Sequence, residues 1–163
     1  STYLHQLIYI NLFTSTYLHQ LIFTNFVKIN INFSHINKMV NFAVFDVTKW
    51  PVVHVKLTGI PRCVEDFEDY LTGFDLLYEN KQCFNLIIDS TDIGQVSMYY
   101  IARLAFHMHS REDKTKEYIG KVAIVVTTDF VTTLLNALFL MKKPVSETVI
   151  FNNIIEAKDW VIL

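Results

Sequence analysis

Glycine and proline are scarce in this chain of 163 residues, which holds four glycines (Gly59, Gly73, Gly94, Gly120) and three prolines. With 52% apolar and 18% charged residues, that scarcity excludes a disordered, collagen-like or linker composition. Four scattered glycines also leave no G-x-G-x-x-G dinucleotide fingerprint, no phosphate-cradling G-x-x-x-x-G-K-[ST] and no G-x-S-x-G nucleophile elbow. Cysteine is nearly absent. Cys63 and Cys83 cannot build a disulfide framework, lack the C-x-x-C spacing of zinc or redox pairs, and suit a reducing compartment, so a cytoplasmic location is expected. The net charge is −2. Without a basic surplus there is no sign of counterion-release affinity for a phosphate backbone, and nucleic acid is excluded as a partner.

Acidic residues are missing from the front of the chain: the first is Asp46, and residues 1–38 carry only Lys28 and Lys38 as charges. Residues 1–8, Ser-Thr-Tyr-Leu-His-Gln-Leu-Ile, recur at 15–22. Two copies of so short a unit do not make a solenoid, which needs three or more units of about 20–50 residues. A membrane span would place His5, Gln6, Asn11, His19, Gln20 and Asn25 in hydrocarbon, each at a desolvation cost. A secretory signal would need a basic start and an unbroken apolar run. Residues 1–38 are therefore expected to be a low-complexity leader outside the domain, and membrane association could come only through it. The domain is expected at 39–163, starting at Met39 and close to the common domain size.

Within 39–163 the apolar pattern predicts alternating elements. A first strand is expected over Phe42–Trp50 and a β-branched second over Val52–Leu57, with the short connection at Pro51 favouring an antiparallel pair. Cys63–Tyr78 places Val64, Phe67, Tyr70, Leu71, Phe74 and Leu77 at helical spacing, with acids in the first turns where the helix dipole favours them. Cys83–Ile88 is a short apolar run read as a strand buried on both faces, and it leads into the polar loop Asp89–Gly94. A long helix is expected from about Ser97 to Lys116, with Ile101, Leu104, Ala105 and Met108 inward and a solvated charge cluster at Arg111–Glu117. Lys121–Val126 reads as a buried strand, Asp129–Met141 as a helix capped by Asp129, Val149–Phe151 as a last strand, and Asn153 onward as a closing helix. The order β-β-α-β-α-β-α-β-α implies an α/β fold: a mixed, mostly parallel sheet of about five strands with helices, the first pair supplying the antiparallel edge.

Particular residues in that order resemble a known family. Trp50-Pro51-Val52-Val53-His54-Val55, Leu86-Ile87-Ile88-Asp89, Gly120-Lys121-Val122-Ala123-Ile124-Val125-Val126, and Val149-Ile150-Phe151 with Glu156-Ala157-Lys158-Asp159-Trp160-Val161 are together similar to the STAS domain, the fold shared by sulfate transporters and anti-sigma factor antagonists, and most of all to its sporulation anti-anti-sigma group. The resemblance covers residues 40–162. It implies a domain that works by binding a protein partner, switched off when a serine opening the helix after the third strand is phosphorylated. Ser97 stands at that place, but Val96 replaces the motif's aspartate and Met98-Tyr99 its small residue and glycine. A phosphate there would meet free N–H groups and the positive end of the helix dipole, and a serine before a helix is equally an ordinary N-cap.

Residues fit for chemistry are few. His107 and His109, two apart on a helix, point about 200° from each other and cannot share a metal. His54, in mid-strand, reads as a packed or edge histidine rather than a base. Asp89, Ser90, Thr91 and Asp92 lie at the carboxyl end of an inner strand, where open α/β sheets place ligand sites, although such residues also bond their own turn. The stretch 130–141 is apolar nearly all round and, at about 18 Å as a helix, too short to span a bilayer, so it calls for cover on two sides. Leu135, Leu138 and Phe139 are expected to face a partner, the leader segment or a bound apolar ligand, joined by Tyr99, Tyr100 and Phe106 on the preceding helix. The expected function is that of a non-catalytic, STAS-like binding domain without metal or cofactor, acting on a protein partner or as a homodimer. A small apolar-ligand or lipid carrier is the alternative, and an enzyme built on the Asp89/Asp92 loop ranks last.

Overall fold

The computed structural model describes residues 42–93, 96–129, 132–133, 135–136, 139 and 143–163; the leader, and the domain boundary at 38/39, lie outside them. The described residues form nine regular elements: β1 (Ala43–Asp46), β2 (Val52–Leu57), α1 (Val64–Tyr78), β3 (Phe84–Asp89), α2 (Met98–Ser110), α3 (Glu112–Tyr118), β4 (Ile119–Val125), β5 (Glu147–Phe151) and α4 (Ile154–Ile162). Between β4 and β5, Asp129, Thr132, Thr133, Leu135, Asn136 and Phe139 are helical.

One sheet runs in sequence order, β1-β2-β3-β4-β5. The β1–β2 pair is antiparallel and the remaining pairs are parallel. Right-handed crossovers that step steadily in one direction bring their helices to one face. That face holds Phe45, Val53, Val55, Phe84 and Leu86, all buried, against Phe67, Tyr70, Phe74 and Leu77 of α1. Its packing is largely aromatic: Phe45–Phe74 and Tyr70–Phe74 meet edge to face, with centroids 5.3 and 5.0 Å apart. Gly73 makes this approach feasible, since a β-carbon there would stand 2.7 Å from the Phe45 ring. Among the described residues the opposite face carries α4, whose Ala157 and Val161 pack on Ile87, Ala123 and Val125.

Three boundaries differ from the periodic reading. The first strand stops at Asp46, not Trp50, because the Asp46 carboxylate accepts from Thr48 N–H (2.9 Å) and Thr48 Oγ1 (2.6 Å), and Trp50 N–H then closes a turn on the Val47 carbonyl. This turn includes the cis Trp50–Pro51 peptide bond. The long helix expected over 97–116 is two helices. Arg111 leaves helical geometry (φ −113°, ψ 16°) and sends its guanidinium to both oxygens of Asp75 on α1, at 2.8 and 2.9 Å. The expected charge cluster is thus tied down at its start, and inside it Thr115 is buried with its Oγ1 3.1 Å from the Tyr78 hydroxyl. Of the four α2 residues expected inward, Ile101, Leu104 and Met108 are half-buried and Ala105 is exposed. The helix expected from Asp129 already begins its hydrogen bonding at Thr128, whose carbonyl accepts from Thr132 N–H.

Candidate functional site

α2 is the outlying helix. No residue of it is fully buried, since it leans on α1 rather than on the sheet. The inner side is held by Tyr100, whose ring centroid lies 4.8 Å from that of Phe67, by Arg103 paired with Glu68, and by the Arg111–Asp75 pair just past its end. Ser97 caps its start, the Oγ accepting from Tyr99 N–H at 3.3 Å. The outward side consists of Met98, Tyr99, Ala102, Ala105, Phe106 and His109, all exposed. Phe106 keeps 74%, Met98 58% and Tyr99 49% of its surface in solvent. Arg103 is the one formally charged residue of α2, and it is directed to Glu68 with its guanidinium 5.9 Å from the Tyr99 ring. The outer stripe is therefore largely apolar and spaced at three and four residues, with the Arg103–Glu68 pair and the His109–Glu112 contact at its flanks.

The expected interface thus divides. Tyr99 and Phe106 are exposed, while Tyr100 turns toward α1 and serves packing. Leu135 and Phe139 are half-buried; Leu138 lies outside the described residues. Among the described residues no helix is long and apolar enough to cross a membrane.

The polar loop after β3 is occupied with its own fold. Asp89 Oδ1 accepts from Thr91 N–H (3.1 Å) and Thr91 Oγ1 (2.7 Å), forming a turn around the carboxylate. Ser90 is buried, and its Oγ and N–H both donate to the Val125 carbonyl, tying β3 to β4. Asp92 is exposed and pairs with Lys56 at 2.8 Å. Burial pushes the Asp89 pKa up, but the two Thr91 bonds and the nearby His54 and Lys56 outweigh it and hold the carboxyl below its ordinary value.

Strand pairing brings His54 into this loop. The parallel register sets His54 opposite Ile87 and Lys56 opposite Asp89, which puts His54, Lys56 and Asp89 on the α4 face, with Asp46 beside His54. His54 Nε2 is buried, lies 3.5 Å from Asp89 Oδ2 and makes no hydrogen bond. Burial lowers its pKa, and this outweighs the pull of Asp89 and Asp46, so the ring is neutral and the contact is not an ion pair at neutral pH. Pattern reading missed His54 as a member of this cluster; its place three residues before the end of a strand parallel to β3 was the available signal. His107 behaves similarly: its Nε2, 3.5 Å from Asp75 Oδ1, makes no hydrogen bond, and burial lowers its pKa. Among the described residues no three His, Cys, Asp or Glu side chains are grouped to hold a metal.

Sheet order, an antiparallel first pair and helices on two faces define a SpoIIAA-like, that is STAS-like, α/β fold. The chain is similar to the crystal structure of an uncharacterised protein of the DUF3478 family with a SpoIIAA-like fold from Shewanella loihica. The two superpose with a TM-score of 0.51 at 15% identity, over 73% of this chain and 91% of that one. No protein-family profile and no curated protein sequence matches the chain.

Proposed function

We propose that this STAS-like domain is a non-catalytic binding module of the cytoplasm that associates with a second copy of itself through the outward side of α2. The carrying observation is the exposed, neutral stripe Met98–Tyr99–Ala102–Ala105–Phe106. Thirteen residues give a helix about 20 Å long, and the two alanines at its middle allow two such helices to approach closely. A stripe without charge does not repel its own copy across a two-fold axis, the commonest symmetry of soluble oligomers. Against catalysis by the 89–92 loop stands the use of Asp89, Ser90 and Thr91 in their own turn and in the β3–β4 tie.

Sedimentation equilibrium of the full chain is the test. The wild type is expected to dimerise with concentration, and Phe106→Glu to weaken dimerisation at least about tenfold, because each dimer would bury two carboxylates. A wild type that stays monomeric through the millimolar range removes the self-association reading, and an unchanged dimer in Phe106→Glu moves the interface off α2.

A further inference from the structure

We propose that the open edge of β5 is a slot for an extended peptide, which adds to the sheet as a sixth strand. The inference does not rest on the α2 reading. β5 pairs with β4 along one side, and among the described residues no strand pairs with its other side. The bond from Val126 N–H to the Phe151 carbonyl shows which side is which. Phe151, Val149 and Glu147 direct their backbone groups to β4, so Thr148 and Ile150 direct theirs outward, because successive residues of a strand alternate.

Natural sheets blunt such edges with proline, lysine, bulges or very short strands. Glu147-Thr148-Val149-Ile150-Phe151 has no proline or lysine, pairs without a register shift and is five residues long. At the opposite edge, β1 has four residues before the Asp46 turn closes it. Thr148–Phe151 of β5 also line a groove of about 600 Å³, together with Val126 and Asn152 just past the ends of β4 and β5. Its walls stand on both sides of the sheet: Thr132, Asn136 and Phe139, one helical stripe, beside Thr148 and Ile150, and Glu156 of α4 beside Val149 and Phe151. Lining residues on both faces of β5 suit a single added strand, flanked on each side, better than a second sheet carrying its own helices. That geometry selects a peptide over another copy of this domain.

The lining states the chemistry of the occupant. Val149, Ile150, Phe151 and Phe139 offer apolar contact to alternate side chains, and Glu156 is the one charged residue of the lining. The slot therefore fits an extended apolar segment with a basic residue at the Glu156 end, held by backbone hydrogen bonds for affinity and by side-chain pockets for selection.

The probe is an end-capped heptapeptide of alternating valine and threonine with lysine at both ends, and the readout is amide hydrogen exchange of the full chain followed residue by residue. At about 1 mM peptide the Thr148 and Ile150 amides are expected to exchange at least about fivefold more slowly, as for a site with Kd of about 0.2 mM. Of the two peptides methylated on alternate backbone nitrogens, the one whose methyls face β5 should lose this protection, while the one whose methyls face away should keep it. Ile150→Pro, which removes an outward N–H and no bond to β4, should abolish the peptide's effect on Thr148 while the β4 amides keep their protection. Unchanged exchange with the parent peptide overturns the proposal. So does equal protection by all peptides, which would mean side-chain contact without strand addition. Protection of Thr148 and Ile150 that rises with protein concentration alone, without peptide, assigns the edge to a second copy and overturns it as well.

Discussion

The two faces of the sheet are built on different principles. On the α1 side, Phe45, Phe67, Tyr70, Phe74 and Leu77 bury large rings and chains against Val53, Val55 and Leu86. On the α4 side, the buried contact is mostly small: Ala123 and Val125 under Ala157 and Val161. There α4 is fastened by polar bonds. Asn85 Nδ2 donates to the Val161 carbonyl (3.0 Å) while its Oδ1 accepts from Lys121 N–H (2.9 Å), and Lys121 Nζ reaches both the Trp160 carbonyl and the face of its ring. Apolar area on one face supplies stability. On the other, directional bonds set where a short helix sits, and they leave His54, Lys56 and Asp46 on the strands beyond it.

The largest effect expected from breaking this contrast is on the aromatic side. Phe45→Ala should cost about 3–5 kcal/mol in urea unfolding, against about 1.5–3 kcal/mol for Val161→Ala under α4. Equal losses would mean that the faces are energetically alike. Asn85→Ala comes next. It removes both ties and leaves the Val161 carbonyl and Lys121 N–H without those partners, for about 1–3 kcal/mol, with faster amide exchange confined to α4 and the start of β4. Gly73→Ala sharpens the aromatic side in a different way. Helix propensity favours alanine by about 1 kcal/mol, but the added carbon meets a Phe45 ring with no room to retreat, so a net loss of about 1–2 kcal/mol is expected. A stabilised Gly73→Ala protein would show that the ring moves freely.

The smallest effect is on pH. His54 faces Asp46 of β1, Asp89 of β3 and Lys158 of α4; His107 faces Glu68 and Asp75 of α1 and Arg111. For both, burial is the leading cause and lowers the pKa below 6.5. The unfolded chain therefore takes up these protons first, and stability that is whole above pH 6.5 declines as the pH falls below that value. Asp46, Asp75 and Asp89 are held below 3.8, so a second loss follows as pH falls from that value through their folded pKa values. Replacing both histidines by glutamine should flatten the first decline and leave the second. An unchanged profile between pH 5 and 7 would mean that neither ring is buried in its neutral form.

Much of the fold was legible along the chain because its causes are local. The 3- and 4-residue spacing of Phe67, Tyr70, Leu71 and Phe74 reports a helix wherever it occurs, and Ser97 and Asn153 are N-caps by short-range bonds. The break at Arg111 was not legible, because its cause is Asp75, on another helix. The loop 89–92 was found and its chemistry left open. In the structure both Thr91 donors converge on one Asp89 oxygen, a turn that the residue types alone allowed but did not specify.

By itself, then, the amino-acid order determined the kind and succession of most elements and the apolar surplus of 130–141, since these depend on neighbours within a few positions. The tertiary structure alone decided that β5 ends the sheet among the described residues, that Phe106 points outward while Tyr100 packs inward, and that His54 lies against Asp89. Each of those depends on strand register and crossover hand, which join residues tens of positions apart.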